Sequence, residues 1–148
     1  RTVIHDETNK VKSIDEAASA LLDLQQKHKS VLLIANTKKA AADIYNSVKE
    51  KLSPKGVICI YLSTSLCPAH RMDKLNEMLL YLDKQKKGSD VSVVCISTAL
   101  IEAGVDISFP CVVRSYAGLP NMIQAAGRCN RNKENVVGHV YLSTLEGG

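Results

Sequence analysis

The sequence predicts an α/β domain of three layers, α/β/α, with a mostly parallel sheet in the middle. Three observations predict it. Strand-like and helix-like segments alternate along the whole chain, and strands joined through helices of this length cross over and run parallel. The runs VLLIAN at 31–36 and Val91 to Ile96 are apolar without alternation, as in a strand covered on both faces. A length of 148 residues, with 45% apolar and 23% charged side chains, suits one domain with a real core and leaves little room for two.

The elements follow in order. Arg1 to His5 reads as a short first strand. Ser13 caps a helix: Ile14, Ala17, Ala18, Leu21 and Leu22 share one face, and Glu16 stands three residues after the serine in a capping-box arrangement. VLLIAN is the second strand. Thr37 to Leu52 is a helix with Ala41, Ile44, Tyr45, Val48 and Leu52 inward, stopped by Ser53-Pro54. VICIYLS at 57–63 is the third strand. Pro68 to about Lys86 is a helix whose seam is Met72, Leu75, Met78, Leu79 and Leu82, ended by Gly88. Val91 to Ile96 is a strand, and so is Pro110 to Arg114. Pro120 to about Arg128 is helical, and Val136 to Leu142 is the last strand.

Composition narrows the function classes. The apolar runs are far too short to span a bilayer, so no membrane partner is expected. The five cysteines at 59, 67, 95, 111 and 129 contain no C-x-x-C pair, so no metal site is expected; they read as reduced, small hydrophobes of a cytoplasmic protein. A net charge of +4 permits nucleic-acid binding without requiring it. Lysines 27, 29, 49, 51, 84, 86 and 87 stand near helix C-termini, where they oppose the helix dipole. One phenylalanine and no tryptophan argue against a base-stacking platform. The chain opens at Arg1 without a methionine, and the expectation is one domain, residues 1–148, excised from a longer protein.

In parallel sheets, ligands bind beyond the carboxyl ends of the strands. The polar tails there are Asn36-Thr37-Lys38-Lys39, Ser63-Thr64-Ser65, Ser97-Thr98 and Arg114-Ser115-Tyr116, all expected to project from one edge. In the stretch STALIEAGVDI at 97–107, a buried strand ends in hydroxyls and free amides that suit phosphate oxygens. Gly104 allows a sharp turn or a close approach, and Asp106 offers a carboxylate for ribose hydroxyls. The plainer alternative is a turn whose Asp bonds its own backbone. Downstream, NMIQAAGRCNRNKE at 121–134 places Gln124, Arg128 and Arg131 on one stripe of a helix. Guanidinium is always charged and forks onto oxygens in pairs, so two of them beside a glycine fit phosphate recognition as well as a solvated face.

Together these motifs resemble motifs V and VI of superfamily 2 helicases, on the second RecA-like lobe. The stretches IEAGVDISFP at 101–110 and IQAAGRCNR at 123–131 resemble in particular the CRISPR-associated helicase–nuclease of type I systems. VLLIANTKKA at 31–40 is similar to motif IV, and LSTSLCPAHR at 62–71 to the stretch after it, so the resemblance covers essentially the whole chain. It implies that Arg128 and Arg131 are arginine fingers reaching the ATP phosphates. It implies that Gln124, Gly104 and Asp106 touch the nucleotide, with Asp106 at the ribose. Thr98, Thr37, Ser63, Thr64 and Arg71 would line a track for single-stranded DNA. ATP with Mg would be held mainly by a first RecA-like lobe. Partners implied are that lobe, an HD nuclease domain and the RNA-guided CRISPR surveillance complex, in a prokaryotic cytoplasm.

The sequence holds no G-x-x-x-x-G-K-[ST] loop and no D-E-x-D or D-E-x-H box, so the chain alone is expected to hydrolyse no ATP. His5-Asp6 is a literal His-Asp pair, read as incidental because no other histidine stands near it in sequence. Two alternatives stay open: a lobe of another superfamily 2 helicase, for DNA repair or RNA remodelling, and a non-catalytic module that binds nucleic acid or protein.

Overall fold

The computed structural model describes residues 2–63, 67–98, 109–115 and 138–145. Six strands form one sheet: β1 (Thr2–Lys12), β2 (Val31–Ala35), β3 (Ile58–Leu62), β4 (Val93–Thr98), β5 (Cys111–Ser115) and β6 (Gly138–Leu145). Their order across the sheet is β1-β6-β5-β2-β4-β3, and every described pairing is parallel. Three helices connect them: α1 (Ile14–His28), α2 (Lys38–Leu52) and α3 (Pro68–Lys86). The expected mostly parallel α/β architecture is therefore present.

Strand alternation sorts the core into two layers. Leu32, Ile34, Ile60, Leu62, Val93 and Cys95 pack with Leu75, Met78 and Leu82 of α3. Val31, Leu33, Ala35, Val94 and Ile96 turn to the other face, against Ala18 and Leu21 of α1 and Ala41, Ile44, Val48 and Leu52 of α2. β2 and β4 are buried along their whole length, which is why their sequences do not alternate. Cys95 and Cys111 are wholly buried in these layers, and burial pushes the Cys95 thiol up to about 12, so it serves as packing.

The helix ends follow their sequence signals. Ser13 and Glu16 close the capping box on α1, each side chain bonding the other's amide. Thr37 is the N-cap of α2. Ser53-Pro54-Lys55 continue as one 3-10 turn, and Gly56 then turns left-handed at φ 80, a conformation glycine adopts without strain.

Two expectations need correction. The first strand is not short: β1 runs to Lys12, because β6 supplies a parallel partner from Thr2↔Gly138 to Lys12↔Leu145, with an irregularity between Glu7 and Val11. Met72 is not part of the α3 seam. It is 44% exposed, since it lies in the first turn and a half of α3, off the stripe carried by Leu75, Met78 and Leu82.

Candidate functional site

Strand register builds the site. Ala35 pairs with Thr98, and Leu62 with Ser97, which sets Ser63 beside Thr98. On the other side Ser115 pairs with Ser143, and Glu7 with Ser143. Ile34↔Arg114 brings Ser115 alongside Ala35. A row of small hydroxyl residues thus crosses the carboxyl ends of the strands, at the level where each chain segment leaves the sheet. α2 and α3 begin at this same edge, so the free amides of their first turns face it.

Within the row, Thr98 is 6% exposed and its Oγ1 is buried without a hydrogen-bond partner. Its neighbour Ser97 spends its hydroxyl on the Thr98 carbonyl, at 2.6 Å. A buried, unpaired hydroxyl costs about 1–3 kcal/mol, which a phosphate oxygen or water arriving at the edge would offset. Ser63 is buried. Thr37 is exposed two residues past the end of β2, with its hydroxyl oxygen accepting from the Ala40 amide at 3.2 Å. Arg71 stands half-buried in the first turn of α3. Thr98, Ser63 and Thr37 are thus brought to one edge, and Arg71 stands on a helix that starts there. Thr64, Gly104, Asp106, Gln124, Arg128 and Arg131 lie outside the described residues.

Arg114 departs from its sequence reading. It does not project past the edge. It is 1% exposed, and one guanidinium nitrogen donates to the Ile34 carbonyl at 3.3 Å, tying the end of β5 to the end of β2. Desolvation pushes its pKa down. The only advance signal was its place in the strand, one residue after Val113, where alternation turns it onto the α3 face.

Two further features escaped the sequence. A cavity of about 200 Å³ lies between α1 and the sheet, lined among others by Glu7, Ala20, Leu24, Ser115, Tyr141 and Ser143. The small Ala17 and Ala20 on α1 leave this space. Second, His5 does have companions. Its Nε2 lies 3.0 Å from Nδ1 of His139 and its ring stacks on Tyr141 at 4.2 Å, while His28 sits 4.7 Å from His139, ring to ring. Burial first, then His139, Lys27 and His5, lower the His28 pKa to about 4. Among the described residues no group of three His, Cys, Asp or Glu side chains could hold a metal ion, nor is any helix long and apolar enough to cross a membrane.

The chain matches the family "CRISPR-associated nuclease/helicase Cas3, C-terminal" over residues 27–134. It is 47% identical over 57 residues to a CRISPR-associated nuclease/helicase Cas3 of Haloferax volcanii, covering 38% of this chain and 6% of that protein. It is 26% identical over 121 residues to the ATP-dependent helicase Lhr-Core of Sulfolobus acidocaldarius, covering 80% of this chain and 13% of the relative. Among solved structures, the T. fusca Cas3 crystal structure superimposes with a TM-score of 0.77 at 15% identity, over 100% of this chain and 19% of that one. Domain 2 of the DEAD-box helicase Mss116p, bound to an RNA duplex, gives 0.68 at 16% identity over 98% and 54%. These similarities in structure establish the RecA-like helicase fold. The chain spans well under a fifth of the curated relatives it matches.

Proposed function

The chain belongs to the C-terminal Cas3 family of CRISPR-associated nuclease/helicases, and on that premise we propose that it is the second motor lobe of an ATP-driven translocase on single-stranded DNA in CRISPR interference. The observation that carries this reading is the hydroxyl row at the strand ends, with Thr98 offering a buried oxygen that no described residue uses. The described hydroxyls and helix-start amides at that edge suit phosphates. Mg would be held by a first lobe, together with most of the contacts to ATP.

In this mechanism Arg128 and Arg131 enter the cleft from the second lobe when the lobes close. Their guanidinium groups stabilise the charge that develops as the γ-phosphoryl leaves. Asp106 orients the ribose through its hydroxyls, Gly104 lets the backbone come close, and Gln124 positions the nucleotide or relays its state. Thr98, Ser63, Thr64 and Arg71 hold the strand backbone, and Thr37 adds the start of α2, its hydroxyl engaged in the cap. Closing and opening then ratchet the strand along the edge. The strand would be the one displaced when a guide RNA pairs with its target, in a protein that also carries an HD nuclease.

The test has two arms. In a protein carrying both lobes, Arg128→Ala or Arg131→Ala should lower hydrolysis about 10³- to 10⁵-fold with nucleotide affinity largely kept. The 148-residue chain alone should show no magnesium-dependent hydrolysis. Robust ATPase activity in the isolated chain, or finger variants that lose binding and not turnover, would refute the proposal. The similarity to Lhr-Core favours one second reading, a lobe of another superfamily 2 helicase. Strand-dependent ATPase that is indifferent to CRISPR effector complexes would select it.

A further inference from the structure

The opposite edge of the sheet, where strands begin, carries a charge pattern that the motor reading does not use. All three described helices end there. The segments 24–30, 49–57 and 83–92 hold Lys27, Lys29, Lys49, Lys51, Lys55, Lys84, Lys86 and Lys87, each exposed. Against these eight lysines stand three carboxylates, Glu50, Asp83 and Asp90, an excess of five positive charges in a chain whose total is +4.

The three segments meet in space. Lys29 reaches Asp90 at 3.5 Å, joining the end of α1 to the loop after α3. Ser30 is wholly buried between them: its hydroxyl donates to Gln85 Oε1 at 2.7 Å and accepts from the Val93 amide at 3.0 Å. The Ile58 amide bonds the Ser92 carbonyl at 2.9 Å, which brings the α2–β3 connection to the same place. The lysines therefore form a rim around one end of the sheet, spanning both helical layers.

Helix dipoles do not account for it. Three helix C-termini together present about −1.5 charges, so a positive surplus of roughly three remains after they are balanced. Two of the lysines are paired within the rim, Lys29 with Asp90 and Lys87 with Asp83.

We propose that this rim is a second nucleic-acid surface, one that takes the phosphate backbone of a double helix without reading its sequence. Its chemistry is selective. The rim holds no arginine, so bidentate base readout is absent. Its nearby aromatics, Tyr45 and Tyr81, are half-buried with Lys49 and Lys84 lying over their rings at 5.4 and 5.5 Å, so no stacking platform is offered to single strands. Protein-docking surfaces favour aromatic, Met and Arg anchors and are depleted in Lys, the reverse of this composition. The large exposed apolar side chains Ile4, Val11, Met72 and Leu80 all stand outside these segments, so nothing here inserts into a lipid surface. Lysine ammonium groups as mobile point charges fit a duplex, with one phosphate per about 1.7 Å of axis.

The proposal uses a surface distinct from the motor edge and stands or falls separately from it. The test is binding of a short random-sequence DNA duplex to the full chain without nucleotide, at about 50 to 200 mM salt. The combined variant Lys27→Gln, Lys51→Gln, Lys55→Gln should weaken binding about 100-fold and flatten the log–log salt slope by about 2 to 3. A charge-matched variant at the same places, Lys27→Arg, Lys51→Arg, Lys55→Arg, should stay within a few-fold of the parent. Both variants change exposed or half-exposed helix and turn positions, and a matching thermal melt verifies that each is folded. Equal binding by parent and rim variant overturns the proposal. So does a larger loss in the charge-matched variant, a binding constant indifferent to salt, no duplex binding at the lowest salt, or rim-dependent binding of an acidic polypeptide in place of DNA. Hydrolysis by the two-lobed protein that Arg128→Ala and Arg131→Ala leave unchanged, with rim binding intact, would instead count against the motor reading alone.

Discussion

The two ends of the sheet differ in kind. Where strands finish, three helices begin and the described row is built of small hydroxyls. One of these, on Thr98, is left unpaired. Where strands start, three helices end, lysines crowd the rim and the buried Ser30 hydroxyl is spent on Gln85 and the Val93 amide. One end keeps unmet hydrogen-bonding capacity at a cost in stability. The other invests that capacity in holding the layers together and keeps only charge for the outside. Binding sites and structural joints are thus told apart here by what their buried hydroxyls are doing.

Substitutions can break this contrast, and the largest effect is expected at Arg114. Arg114→Ala empties a fully buried volume and strands the Ile34 carbonyl, and should cost about 3 kcal/mol or more in urea unfolding, with Arg114→Met costing clearly less. An alanine variant as stable as the parent would mean that β5 and β2 do not depend on this side chain. Ser30→Ala should come next. It leaves the buried Val93 amide without its acceptor, and a loss of about 1–3 kcal/mol is expected from the same measurement.

Thr98→Val sharpens the comparison because its sign is opposite. The swap removes a hydroxyl that has no partner, so unfolding should become harder by up to about 1 kcal/mol, while strand binding by the two-lobed protein declines. Destabilisation by Thr98→Val would show that the hydroxyl is paired in the folded chain and would remove the argument built on it. Thr37→Ala should cost about 1 kcal/mol through the lost cap of α2, readable as a lower melting temperature.

The histidine cluster gives a pH expectation. His28 is held neutral in the folded chain, with a pKa of about 4 against 6.5 when unfolded. The unfolded chain therefore binds more protons between these values. Stability is fully present above about pH 6.5 and falls as the pH drops toward 4. His28→Phe should flatten that slope in melts taken across the interval; an unchanged slope would place the acid sensitivity elsewhere.

Much of the fold could be read from periodicity and punctuation. Ser13 with Glu16, and Ser53-Pro54 followed by Gly56, are local signals, and local signals fixed where helices begin and end. The length of β1 could not be read, because it depends on β6, a partner more than a hundred residues away. The same holds for the meeting of His5, His28 and His139, which share no local pattern. Arg114 was misplaced because a charged residue at a strand end is usually solvated, and only the packed layers reveal that it is not. At the site, the strand-end residues Thr98 and Ser63 came together through register alone, which a count of apolar runs already implies. The lysines were visible as three separate clusters, each explained by its own helix, and only the crossover topology gathers them onto one rim.

The pairing of β1 with β6 has one more consequence. These are the first and last of the described strands, and Thr2 meets Gly138. During synthesis β2, α2, β3, α3 and β4 emerge in sequence and have the means to pack at once. β1 must wait for β6, more than a hundred residues later, and closing so long a loop is slow. The domain is therefore expected to assemble from its middle outward, with the β1–β6 pairing among the last contacts made.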